Sequence, residues 1–173
     1  MTGRGIDQIM PQSVDPALFE PAVPSAEGYV ILAERHHGPI PRDVEPGYIW
    51  GEALPLLQAM APEVRIANLE TAVTTSDDYQ PKGINYRMHP ANVTCLQAAQ
   101  LDVCTLANNH VLDWGSSGLV ETLKALHDAG IRTAGAGNDL QEAATPAVQT
   151  IDQRRVLVFA GGHTSSGVDP DWA

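Results

Sequence analysis

The sequence predicts an α/β fold, and three features carry the prediction. Two short apolar runs rich in β-branched residues, at 64–69 and 101–107, have the pattern of strands covered on both faces. Segments with apolar residues at helical spacing alternate with them, the arrangement that buries a sheet beneath helices. Both runs end in polar clusters, Asn68-Leu69-Glu70 and Asn108-Asn109-His110, where open α/β sheets hold their ligands. With 173 residues, 43% of them hydrophobic, the chain has apolar material for one core, so a single domain over 1–173 is expected.

Residues 1–48 are rich in Pro and Gly with little periodicity. They read as mostly loop lying over the domain, with only 28–34 able to form a short helix or strand. His36 and His37 fall in this stretch and read as solvated side chains. Residues 49–60 place Leu54, Leu57 and Met60 at helical spacing, with Pro55 tolerated in a first turn, and the stripe reads as core. The strand at 64–69 follows, then an exposed polar connection at 74–81. Residues 90–100 read as a helix leading into the strand at 101–107. Leu119, Leu123, Leu126 and His127 mark a helix over 116–129, capped by Gly130. A short strand and glycine-rich turn at 131–137, a short helix at 139–144 and strands at 147–151 and 155–160 complete the order. The glycines of 131–137 are not a dinucleotide fingerprint, because no third glycine opens a helix at the right distance.

The stretch 106–115 concentrates the chemistry. Asn109 offers a neutral carbonyl oxygen, and His110 an imidazole that can ligate a metal, move a proton or donate to an oxyanion. A local reading of the same residues makes Asn108 and Asn109 a turn and Asp113 the N-cap of the following helix. Glu70 weighs against so local a reading. Two parallel strands ending in Glu70 and in Asn109 and His110 bring a carboxylate, an amide and an imidazole to one sheet edge, a mixed O/N set suited to Mn, Fe or Zn. Lys82 and Arg87 are the cations available to an anionic substrate, Arg87 as a planar fork and Lys82 as a point charge. Arg4, between Gly3 and Gly5, is a third, set against the reading of a flexible N-terminus.

Asn68-Leu69-Glu70, the 82–87 segment, the 108–115 stretch and the 133–137 turn together resemble the CapA family of capsule and poly-γ-glutamate synthesis proteins. That family is similar to the calcineurin-like metallophosphoesterases, and the resemblance runs nearly end to end. It implies a metallophosphoesterase-like layered α/β fold with a mixed sheet flanked by helices. It also implies a divalent-metal centre, dinuclear in a complete protein, with Glu70 and Asn109 as ligands and His110 as general acid or oxyanion donor. Asp113 would orient the turn, and Arg4 would lie close to the metal. The superfamily's first-strand Gly-Asp ligand and its later histidines are missing from this sequence, and His163 after Gly161-Gly162 lacks a second histidine. The chain therefore reads as a fragment or shortened form, with a possible content of no metal and an exposed strand edge prone to association. Metal-dependent hydrolysis is the first expectation. A non-catalytic remnant or anion-binding module is the alternative.

Composition limits the partners. A net charge of −11 with no basic block disfavours nucleic acid and anionic membrane surfaces. An anionic small molecule or polymer must then be held locally, by a metal or a few cations. Cys95 and Cys104 are too few for a disulfide framework. No run of 18 apolar residues occurs, so the chain as given is expected to be soluble and cytoplasmic, with an export signal or anchor upstream of Met1 left open.

Overall fold

The computed structural model describes residues 2–169; the expectations for Met1 and 170–173 lie outside them. The class is α/β. Three strands, β1 (Ile66–Asn68), β4 (Val103–Thr105) and β5 (Arg132–Ala134), form a parallel sheet with β4 in the centre. Ile66 pairs with Val103 and Val103 with Arg132, so β1 and β4 end side by side. The short β2 (Ala72–Val73) and β3 (Arg87–Met88) make a second parallel ladder. The last two strands, β6 (Ala147–Ile151) and β7 (Arg154–Val158), form an antiparallel hairpin. Parallel and antiparallel pairing are both present, in separate small sheets.

Five helices are described: α1 (Ala26–His37), α2 (Ala53–Met60), α3 (Thr94–Ala98), α4 (Gly115–Asp128) and α5 (Leu140–Ala144). The longest, α4, buries Leu119, Leu123 and Leu126 at helical spacing, each worth roughly 2 kcal/mol of transfer free energy. Thr122 on the same face accepts from the Val73 backbone N–H at 2.9 Å and pins the helix to β2. It stops where the sequence predicts. Gly130, at φ 78°, donates to the His127 carbonyl and Ile131 donates to that of Leu126, while Leu126 and Ile131 bury against one another's neighbourhood in the core. That core also takes Leu69, Val73, Met88, Cys95, Leu96, Cys104 and Leu106. A smaller cluster of Val103, Ala134, Ala147 and Val158 joins the hairpin to the central sheet.

Two expectations are corrected. The short helix or strand allowed at 28–34 is a helix and runs longer, over 26–37, three turns anchored by Ala26 and Val30 one turn apart in a stretch otherwise read as loop. A stripe this narrow, flanked by Pro and Gly, leaves little periodic signal. Residues 2–25 are held instead by the buried Asp7, whose carboxylate accepts from Val14 N (2.8 Å), His89 N (2.9 Å) and Asn92 Nδ2 (2.6 Å). The second correction concerns α2, which begins at Ala53 after a 3-10 turn and has no buried residue. Leu54 and Leu57 are half-buried, while Leu56 is 60% and Met60 69% exposed, so the stripe is not core. Helical period sorts residues onto faces but does not say what covers a face.

Candidate functional site

The ends of β1 and β4 are tied together by one side chain. Asn108 Nδ2 donates to Asn68 Oδ1 (3.1 Å) and to the Leu69 carbonyl (3.0 Å), and Asn108 Oδ1 accepts from the His110 backbone N–H at 3.0 Å. Asn68 Nδ2 in turn donates to Glu70 Oε1 at 2.9 Å. Glu70, Asn68, Asn108 and the His110 backbone thus form a continuous hydrogen-bonded chain across the two strand ends. Such a chain fixes rotamers that would otherwise be free at a loop.

Below it lies a buried relay. His110 Nδ1 is 2.8 Å from Asp113 Oδ2, and the same oxygen accepts the Tyr86 backbone N–H at 2.6 Å. Asp113 is fully buried, and its other oxygen pairs with Lys82 Nζ at 2.5 Å. Lys82 Nζ also donates to the Asn109 carbonyl, closing the loop onto the relay. A carboxylate against Nδ1 sets the neutral imidazole with its proton on that nitrogen. The lone pair is then on Nε2, 3.3 Å from Asn109 Nδ2. The Tyr86 ring lies 4.1 Å from the imidazole and shields it. Asp113 therefore is not the helix cap of the local reading; Trp114 holds that position without a side-chain bond.

The three expected cations have different surroundings. Lys82 joins the His110 relay. Arg87 is buried, its guanidinium 3.8 Å over the Trp114 ring and donating to the Ser76 carbonyl (2.7 Å), Asp77 Oδ1 (2.9 Å) and the Asp15 carbonyl (3.4 Å). Arg4 pairs with Glu20 and lies 4.9 Å from the centroid of Tyr86, one ring away from His110. Tyr86 is a residue the sequence reasoning passed over, and Asn108 was read as part of the cluster and of a turn, without its role of tying the two strand ends together. Tyr86 sits inside the 82–87 segment, and its place between Lys82 and Arg87 is the signal that could have found it.

Donors for a cation are few at this edge. Glu70 supplies the charge and the Asn109 side-chain oxygen a neutral position, with His110 Nε2 left for proton transfer. Among the described residues no group of three or more His, Cys, Asp or Glu converges. One carboxylate and one neutral oxygen are the donor chemistry of a single hard divalent ion rather than of a dinuclear pair. Among the described residues, no helix is long and apolar enough to cross a membrane.

Comparison with known proteins bears on the chain as a whole. The profile described as bacterial capsule synthesis protein PGA_cap matches residues 1–173. A probable polyglutamine synthesis accessory protein of Mycobacterium tuberculosis is 47% identical over the whole chain, which covers 46% of that relative. The capsule biosynthesis protein CapA of Bacillus anthracis is 30% identical over 53% of the chain and 23% of its own length. The chain spans about half the length of the Mycobacterium relative or less.

Proposed function

The chain belongs to the bacterial capsule synthesis protein family PGA_cap, and from that premise we propose that it serves capsule or polyglutamate synthesis through a hydrolytic site built on His110. The observation that carries this reading is the Lys82–Asp113–His110 relay at the joined ends of β1 and β4, in which Asp113 and His110 are buried and Lys82 reaches in from the surface. Protonated His110 donates its Nε2 proton to a leaving oxygen, and Asp113 stabilises the imidazolium through Nδ1–H. Lys82 Nζ, paired with the second Asp113 oxygen, holds that carboxylate in place against the imidazole. Glu70 and Asn109 would hold a divalent cation, Mn, Fe or Zn, whose chemistry there is to polarise water and to offset charge on an oxyanion. The substrate would be an anionic small molecule or polymer, and Arg87, whose guanidinium is buried and donates inward, would not meet its charge.

Hydrolysis of p-nitrophenyl phosphate and its diester with added Mn²⁺ tests the reading. We expect His110→Asn to lower the rate about 100-fold or more, and Glu70→Gln to abolish Mn²⁺ binding measured directly by calorimetry. Equal rates in wild type and His110→Asn overturn the catalytic assignment. A second reading, an anion-binding module without turnover, is favoured by Glu70 being the single carboxylate in the donor set. It gains if Mn²⁺ fails to bind wild type.

A further inference from the structure

The backbone at Arg4 is strained. Its φ is 58°, in the left-handed region that a residue with a Cβ rarely adopts. Its N–H donates to the Arg87 carbonyl at 3.3 Å, at the start of β3. The glycines on either side permit the approach: a Cβ at Gly3 would lie 2.4 Å from the Arg87 oxygen, and one at Gly5 3.1 Å from the Tyr29 Cβ. The segment is wedged between β3 and α1, and the Arg4 side chain runs between the two elements.

There it meets two aromatic rings. The guanidinium carbon is 4.7 Å from the centroid of Tyr29 and 4.9 Å from that of Tyr86. Glu20 pairs with it, and the same carboxylate accepts the Tyr29 hydroxyl at 3.0 Å. The Arg4 side chain is 14% exposed, so it is turned into the protein. A planar cation stacks on aromatic faces as an ammonium does not, and arginine fits this slot by shape as well as charge.

Tyr86 joins this cation to His110, whose ring centroid is 4.1 Å from its own. The Tyr86 backbone is fixed by bonds to Asp113 Oδ2 and from Trp114 Nε1. Its ring can still turn about the side-chain bonds, and Arg4 and His110 are what it packs against. The imidazole has a matching freedom. Its bond to Asp113 fixes Nδ1 but lets the ring swing about that bond, which would carry Nε2 away from the Asn109 side. An aromatic ring held against the imidazole stops the swing.

We propose that Arg4 is a positioning residue for His110: through the Tyr86 ring it fixes the direction of Nε2, without touching the substrate. Its consequence for rate rests on the His110 reading, whereas its effect on the imidazole does not.

NMR of the ¹³C,¹⁵N-labelled full chain, with hydrolysis of p-nitrophenyl phosphate measured in parallel, tests the assignment. Wild type should show Overhauser contacts between the Tyr86 and His110 rings, with the His110 ring protons shifted upfield by the tyrosine. Arg4→Met keeps the length and removes the plane and the charge. It should abolish the contacts and return the shift toward that of a solvated histidine. Its kcat should fall about tenfold or more with KM changed by less than about twofold. Glu20→Gln loosens the guanidinium and leaves the strained backbone alone. It should move both readouts the same way by less, and it carries the test if Arg4→Met does not fold. Tyr86→Phe, which keeps the ring, should recover most of what Tyr86→Leu loses. Wild-type His110 resonances in both Arg4→Met and Glu20→Gln overturn the proposal. So does a raised KM with unchanged kcat, which would make Arg4 a substrate contact. A wild type without hydrolysis sinks the His110 reading alone, because the His110 shift still decides the role of Arg4.

Discussion

Asp7 and Asp113 are both wholly buried carboxylates, and each is matched by donors from segments far away in sequence. Burial pushes the Asp7 carboxyl above its ordinary value, and the bonds from Val14, His89 and Asn92 only partly offset this. A raised folded value means that its stabilising share is full below about pH 4 and is lost as pH rises through the folded value. Asp7→Ala strands three donors and should cost about 3 kcal/mol in urea unfolding, whereas Asp7→Asn should flatten the loss of stability with rising pH. An unchanged midpoint for Asp7→Ala would show that the N-terminal segment is held elsewhere. Burial also pushes the Cys95 thiol up to about 11 and that of Cys104 up to about 12. Native chain at pH 8 should therefore resist iodoacetamide until denaturant is added. Sequence alone offered both Arg87 and Lys82 as anion contacts, yet Lys82 reaches the relay and Arg87 donates inward. Residue type fixes what a side chain can bond, not which way the backbone aims it.

At the scale of elements, α4 was legible almost to the residue because Leu119, Leu123, Leu126 and Gly130 are all local signals. Its attachment was not. Glu121 accepts from Thr74 Oγ1 at 2.5 Å and from Thr75 N at 2.9 Å, pairs that meet only once β2 is in place. Burial opposes the charge on Glu121, but these bonds outweigh it and hold its carboxyl below the ordinary value. A lowered folded value gives stability that is present above the unfolded pKa and lost as pH falls through the folded one. Glu121→Gln should then cost about 1 kcal/mol at pH 7 and nothing at pH values where both forms are neutral. A pH-independent difference would assign the loss to packing. Gly130 offers a cleaner test, since a Cβ there meets nothing within 4 Å and only its φ of 78° matters. Gly130→Ala should lower stability by about 1 kcal/mol with no change in the near-UV spectrum.

Over the whole molecule, the class and the order of elements follow from periodicity, while the surfaces between them do not. Leu56 and Met60 of α2, Leu157 of β7 and Phe159 just beyond it are all more than half exposed. Apolar area of this kind drives association, so sedimentation should show mass rising with concentration, and Met60→Lys with Phe159→Lys should suppress it. A monomer at every concentration removes that expectation. The Asp7 junction also sets an order in time. Asp7 and Asn92 are 85 positions apart. At roughly 5–20 residues per second, a ribosome releases the second about 4–17 s after the first. Throughout that interval the Asp7 carboxylate lacks its His89 and Asn92 donors and has only the local Val14 N–H, and a protease or chaperone meets the segment undocked. Nascent chains stalled before residue 92 should be cut within 1–25, and those stalled well beyond it should be protected.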